Sequence, residues 1–202
     1  MLCLALSLLY IKAENLFFLE LAEVQEQHAQ LVEQCREGDV MSYKKLYQLY
    51  AKAMFNTSLR ILNNHTEAED VLQESFIDAF HHIHSFENKS SFGAWLKQIV
   101  VNKSINHLKK KRIVLVEIEH AEINNRASDT EEEEKEIEWQ VERVREAITR
   151  LPAGYRTVLS LYLLEGYDHE EIAQILDVAE STTRTQYIRA KQKLLTILKR
   201  GA

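Results

Sequence analysis

The chain has 202 residues, 46% of them hydrophobic and 28% charged, with a formal net charge of −6. That hydrophobic content excludes an intrinsically disordered chain, and one proline with five glycines excludes a turn-rich β architecture. The two cysteines, Cys3 and Cys35, have neither C-x-x-C nor metal-ligand spacing, which points to a reduced, cytoplasmic setting. One large domain or two small ones are expected, all-α in class.

The first candidate element, Leu2–Leu9, has the length of a signal-peptide core, but no positive charge precedes it and no small-residue cleavage site follows. It is also far short of the roughly 20 residues a bilayer span requires. Residues 1–30 are therefore read as an N-terminal extension. From Leu31 the hydrophobic period is helical: Tyr43, Leu46, Tyr47, Tyr50, Met54, Leu59 and Leu62 recur at three- and four-residue steps. Gly38-Asp39 breaks that run, and Asn63 to Thr66 marks a turn. Thr66 with Glu69 predicts a capping box opening the next helix. That helix puts Val71, Leu72, Phe76, Ala79, Phe80 and Ile83 on one side and Glu69, Asp70, Gln73 and Glu74 on the other. A polar loop "ENKSS" follows, flanked by Phe86 and Phe92.

The next helix, "FGAWLKQIVVNKSINHLKKKR", carries an apolar stripe of Phe92, Trp95, Leu96, Ile99, Ile105 and Leu108, with Trp95 assigned to the core. Its polar side holds Asn102, Lys103, Asn106 and His107 and ends in Lys109, Lys110, Lys111 and Arg112. Such a basic end can complement its own helix dipole. It can equally face nucleic acid, and aromatic rings beside a basic groove, here Phe86 and Phe92, are what unpaired bases stack on. Between Glu117 and Glu138 acidic residues far outnumber basic ones, and no aromatic residue occurs until Trp139. This is a linker composition. The expected domains are 31–112 and 138–202, joined by an acidic linker at 113–137.

Pro152 suits a helix start and Gly166 a helix stop, and Asp168 with Glu171 predicts a second capping box. The last two helices are separated only by "DVAE", which is a helix-turn-helix pattern. In the final helix Thr183, Tyr187, Ala190, Leu194 and Leu198 would face a core. Thr182, Arg184, Thr185, Gln186, Arg189 and Lys193 would face outward. Arg184 to Arg200 holds six basic residues and no acidic one, a face suited to phosphates and base edges. No nucleophile–base pair, phosphate loop or zinc spacing occurs. Glu117-x-x-His120 stands alone in the linker, and His81, His82 and His84 lack acidic or thiol partners. No catalytic site, cofactor or metal is expected.

Three motifs together carry a resemblance, from about Leu31 to the C-terminus. "EAEDVLQESFIDAF", "SSFGAWLKQIVVNKSINHLKKKR" and "LPAGYRTVLSLYLLEGYDHEEIAQILDVAESTTRTQYIRAKQKL" resemble, in order, the polymerase-binding helix, the promoter-melting segment and region four of bacterial extracytoplasmic-function sigma factors. The resemblance implies that Asp70, Gln73 and Glu74 contact the clamp helices of RNA polymerase's largest subunit. It implies that Asn102 and Lys103, with Asn106, Lys109, Lys110, Lys111 and Arg112 on the same basic face, meet minus-ten DNA. The loop bearing Asn88, Lys89 and Ser90 lies where the family captures a flipped base. Thr182, Arg184, Thr185, Gln186, Arg189 and Lys193 would lie on the minus-thirty-five recognition helix. The implied partners are polymerase core, including the flap of its second-largest subunit, promoter DNA and an anti-sigma factor, with no small-molecule substrate. Asp177 in place of the usual turn glycine, Ala179 in place of an N-cap serine and Ser181-Thr182-Thr183 in place of Gly-Thr-Val depart from the pattern at the start of the recognition helix. A rival class, a helix-turn-helix regulator acting without polymerase, leaves "EDVLQESF" unexplained.

Overall fold

The computed structural model describes residues 26–111 and 142–200, and among these every regular element is helical. The expected linker at 113–137, Arg112 and most of the N-terminal extension lie outside the described residues. In chain order the helices are α1 (26–36), α2 (Val40–Leu62), α3 (His65–His81), α4 (Phe92–Lys110), α5 (142–149), α6 (Ala153–Leu163), α7 (His169–Leu176) and α8 (Glu180–Arg200), with a 3-10 turn at Ile83–Ser85. They pack into two compact units that do not follow chain order. One takes the described residues up to Met54 together with Gln73–Ile99, and the other takes Phe55–Leu72 together with the described residues from Val100 onward.

In the first unit, Val32, Cys35, Leu46, Phe76, Ala79, Ile83 and Leu96 form a buried core. Asp39 opens α2 as its cap: its carboxylate accepts from the backbone N–H of Met41 and of Ser42 at 3.2 and 3.1 Å and from the Ser42 hydroxyl at 2.6 Å. Those donors, the hydroxyl first, hold the Asp39 carboxyl below the usual carboxylate range. Rings from three helices interlock, with centroids 4.8 Å apart for Tyr43–Phe80, 4.7 Å for Tyr47–Phe76 and 5.5 Å for Tyr50–Phe92.

In the second unit, Ile61 and Leu62 of α2, Ala68 and Val71 of α3, and Val101, Ile105 and Leu108 of α4 share one apolar cluster with Val158, Leu161, Ile172 and Leu176. The opposite side of α6 presents Leu159 to a second cluster with Ala147, Ile148, Leu151, Ala190 and Ile197. An ion pair crosses this unit: Arg60 donates from Nε and Nη2 to Glu165 Oε1 at 2.9 and 2.5 Å, and the Thr57 hydroxyl donates to Glu165 Oε2 at 3.2 Å.

One expected cap is corrected. Asn63 ends α2 in the left-handed region (φ 55) and α3 begins at His65, with the Asn64 side chain accepting from the Glu67 N–H at 3.2 Å. Thr66 thus lies inside the first turn and caps nothing, and Glu69 instead lies 3.5 Å from His65. Two adjacent asparagines win here because one tolerates the left-handed stop and the other is among the best N-caps.

Candidate nucleic-acid interface

Three surfaces hold the residues singled out by the sequence. On α3, Asp70, Gln73 and Glu74 are exposed along one helix face, opposite buried Val71, Leu72, Phe76 and Ala79. Ile77, 54% exposed, adds an apolar spot among them. A row of carboxylate and amide acceptors around one aliphatic side chain suits arginine-bearing partners, since charge-assisted pairs are the strong ones.

The second surface is the outer side and far end of α4. Asn102, Asn106, Lys109 and Lys110 are exposed, and Lys103 is half-buried. Lys111 is committed elsewhere: its ammonium is hydrogen-bonded to Glu67 of α3, and His107 Nε2 lies 3.0 Å from the same carboxylate. The Lys111 bond, with the charges of Lys111 and His107, holds the Glu67 carboxyl below its ordinary range. The carboxylate therefore clips the basic end of α4 to the first turn of α3. The loop at 87–91 is exposed throughout. Asn88 takes a left-handed conformation (φ 57), and Lys89 pairs with Glu87 at 2.5 Å. Arg36 holds the entry to this loop, donating from Nε to the Ile83 carbonyl at 3.3 Å and from Nη2 to the Phe86 carbonyl.

The aromatic expectation is reversed here. Phe86 and Phe92 are buried, with their rings 5.9 Å apart, and are closed to a stacking base. Trp95, assigned to the core from the sequence, is only half-buried and packs on Phe86 at 5.1 Å. Of these three rings it is the one that is not buried.

The third surface is the start of α8. The second capping box forms as expected: Glu171 N–H donates to Asp168 Oδ1 at 2.8 Å, and Asp168 N–H donates to Glu171 Oε2 at 2.9 Å. α7 ends at Asp177 in the left-handed region (φ 61, ψ 51), where glycine is the usual residue and aspartate is tolerated. The Thr183 hydroxyl then lies 3.1 Å from the His169 carbonyl and 2.8 Å from that of Glu180, which fixes the rotation of α8 on α7. With that rotation Arg184, Thr185 and Arg189 are exposed. Thr182 and Gln186 are not: both are half-buried and line a cavity of about 360 Å³ with Ile105, Leu108, Lys109 and Thr157. The Gln186 side-chain oxygen is buried without a hydrogen-bond partner among the described residues. Lys193 is also half-buried. Their place on the outward face is taken by Glu180, Ser181 and Ile188.

Comparison with known proteins decides what carries these surfaces. The sequence matches Sigma-70 region 2 over residues 46–113 and Sigma-70, region 4 over residues 141–194. It is 30% identical over 179 residues to the RNA polymerase sigma-H factor of Pseudomonas aeruginosa, covering 84% of this chain and 93% of that protein. It is 31% identical over 173 residues to the ECF RNA polymerase sigma-E factor of Haemophilus influenzae, covering 81% and 91%. The chain belongs to the extracytoplasmic-function sigma factors of the sigma-70 family. Its fold is shared with CnrH, solved in complex with the cytosolic domain of CnrY, at a TM-score of 0.52 and 22% identity, covering 87% of this chain and 99% of that one.

As a sigma factor it directs transcription initiation, and the rival reading of a regulator acting without polymerase is not favoured. The family acts as a non-enzymatic initiation factor. Among the described residues of this sigma factor no helix is long and apolar enough to cross a membrane. The features its sequence did not disclose are Glu180, which neutralises Arg184, and Arg36, which holds the loop at 87–91. The first had a signal, a glutamate four residues before an arginine on one helix. The second had none, because Arg36 and the carbonyl oxygens it meets are 47 and 50 residues apart.

Proposed function

We propose that this sigma factor divides its work among the three surfaces just described. Asp70, Gln73 and Glu74 engage polymerase core at the clamp helices of the largest subunit. The loop at Asn88, Lys89 and Ser90, with Asn102, Lys103, Asn106, Lys109 and Lys110, receives the opened minus-ten strand. Arg184, Thr185 and Arg189 read the minus-thirty-five duplex. Residues 31–112 and 138–202 are the two working domains, joined by the acidic stretch 113–137, with region four also meeting the flap of the second-largest subunit. The bonds made and broken in transcription belong to the polymerase, so the chain needs no cofactor, metal or catalytic residue. It works in the cytoplasm, where an anti-sigma factor restrains it by covering DNA-facing surfaces. CnrH, of the same fold, was solved with the cytosolic domain of CnrY, which supports that last assignment.

The observation that carries this reading is the acceptor face of α3, exposed along two turns with Ile77 among the carboxylates. Such a face suits a large cationic helical partner. Co-expression with polymerase core tests it. Core should copurify with the wild type and be lost from Asp70→Ala/Gln73→Ala, with the variant's helical content unchanged. Retention of core by the variant overturns the α3 assignment. Changing Lys109 and Lys110 to alanine should lower promoter opening, followed by permanganate reactivity of the bubble, while core binding persists. Equal loss of both would remove those lysines from the minus-ten role.

A further inference from the structure

At the start of α8, Arg184 donates from Nε and Nη2 to the same oxygen, Oε1, of Glu180, at 3.0 and 2.5 Å. The two side chains are 62% and 44% exposed, so the pair faces solvent rather than stabilising an interior. Glu180 Oε2 and Arg184 Nη1 have no protein partner among the described residues. The Thr183 bond to the His169 carbonyl of α7 fixes which way this turn of α8 points, so the pair stands on the outward face with Ser181, Thr185 and Ile188. A recognition helix presents its N-terminal residues to base edges in the major groove.

A carboxylate at that place is a liability for a helix that must approach phosphates, unless it has something to recognise. The geometry supplies it. One carboxylate oxygen is free to accept, and beside it the Nη1/Nη2 end of a guanidinium is free to donate. A cytosine–guanine pair presents the complementary edge, with the cytosine N4 amino donor next to the guanine O6 and N7 acceptors. A thymine–adenine pair also presents an amino donor, adenine N6, but with one acceptor on each side of it, thymine O4 and adenine N7, so beside the carboxylate the guanidinium meets one acceptor where guanine offers O6 and N7 together. We propose that Glu180 is a specificity-determining residue of the minus-thirty-five reader, forming with Arg184 a composite acceptor–donor pair that selects one cytosine–guanine base pair. The inference rests on the reading of α8 as the DNA-facing helix. The bland alternative is an ordinary surface pair four residues apart, which would support the helix and have no effect on sequence choice.

Selection from a promoter library randomised across the minus-thirty-five element, using holoenzyme reconstituted with the full chain, separates the two. Wild type should fix cytosine–guanine at one position. Glu180→Ala should relax the cytosine requirement at that position, with discrimination against other pairs falling about tenfold to a hundredfold, the worth of one good base contact. Arg184→Ala should relax the same position. Glu180→Gln, whose amide oxygen still accepts from cytosine N4, should retain part of the preference. Unchanged selection with Glu180→Ala, while Arg184→Ala alters it, overturns the proposal. So does a uniform gain in affinity at every position, which would mean that Glu180 acts only through its charge. If neither variant alters any position although core still binds and helical content is intact, then the α8 reading fails and the proposal fails with it, a pattern distinct from the other two.

Discussion

The ion pair between Arg60 and Glu165 permits a prediction whose sign and asymmetry both follow from burial. The Glu165 side chain is 4% exposed and that of Arg60 is 34% exposed. Replacing Arg60 with alanine removes the cation from a buried carboxylate, which keeps the Thr57 hydroxyl at 3.2 Å. Breaking a buried pair in this way costs about 3–5 kcal/mol, and the surviving Thr57 bond argues for roughly 3. Replacing Glu165 instead leaves a guanidinium already one-third in solvent that can turn outward. Its loss is discounted toward the exposed-pair range, to about 1–2 kcal/mol including the hydrogen bonds lost. Removing both should cost little more than removing the glutamate alone, because no charge is then left unpaired.

The expected coupling energy in the double-mutant cycle is therefore about 2.5–3 kcal/mol, at the top of the range for residues in direct contact. In a chain of this size each kcal/mol moves the melting temperature by roughly 2–4 °C. Arg60→Ala should lose about 6–12 °C and Glu165→Ala about half of that. Urea denaturation followed by far-UV circular dichroism on the four proteins measures it. A coupling below about 0.5 kcal/mol would mean that the last turns of α2 do not meet the α6–α7 connection in solution. Equal costs for the two single variants would mean that burial does not govern the pair.

Three further outcomes are expected. Asp168→Ala removes the acceptor half of the capping box and should cost about 1 kcal/mol by urea denaturation, with Asp168→Asn recovering most of it; no change would mean that the box is not formed. Gly93→Ala would place a Cβ 2.7 Å from Tyr50 Cε1, and the Tyr50 hydroxyl is tied to His28 Nδ1 at 2.7 Å, so the ring cannot retreat freely. Overpacking of about 1–3 kcal/mol should then outweigh the helix-propensity gain of about 1, whereas stabilisation would show that Tyr50 moves at little cost. Burial, with the nearby Asp39 charge, pushes the Cys35 thiol from its ordinary 9.0 up to about 11. In a Cys3→Ser background the folded protein should resist thiol-specific reagents at pH 9 and react at once when unfolded. The stability favoured by the protonated thiol is complete below pH 9.0 and is lost as pH rises toward about 11, so a flat urea midpoint across that window would count against the burial.

The α class, the helix-turn-helix and its Asp168 cap were legible in the sequence because each rests on local spacing: an apolar period of 3.6 or a cap and its partner three residues apart. The rotation of α8 was not. A stripe drawn through Thr183, Tyr187, Ala190, Leu194 and Leu198 leaves Gln186 outside it. The buried residue at the far end is Ile197 rather than Leu198, which is only half-buried. At about 100° per residue Gln186 lies roughly 20° from Ile197 around the helix axis. Including Ile197 turns the inward face toward Gln186 and away from Arg184. What set that choice was the left-handed turn at Asp177 and the Thr183 bond to His169, a contact between helices that no single-helix pattern contains. The same limit explains Phe86 and Phe92. Spacing placed rings beside the loop, but which rings the core would take depended on Tyr50 packing on Phe92 and Trp95 packing on both.

The charge distribution then acquires a mechanical sense. Cations that a sequence count would assign to DNA are already answered by the chain's own carboxylates, Lys89 by Glu87, Lys111 by Glu67 and Arg184 by Glu180. Each such pair removes one uncompensated phosphate contact, and the affinity of a DNA binder and the steepness of its salt dependence both scale with the number of those contacts. The helix-turn-helix alone should accordingly hold duplex weakly and with a shallow salt slope. Selectivity survives this loss, because base edges are read by placed donors and acceptors rather than by net charge. A reader built this way requires a second attachment to raise its effective concentration at the promoter to the order of mM, and the acceptor face of α3 is the surface proposed to make it.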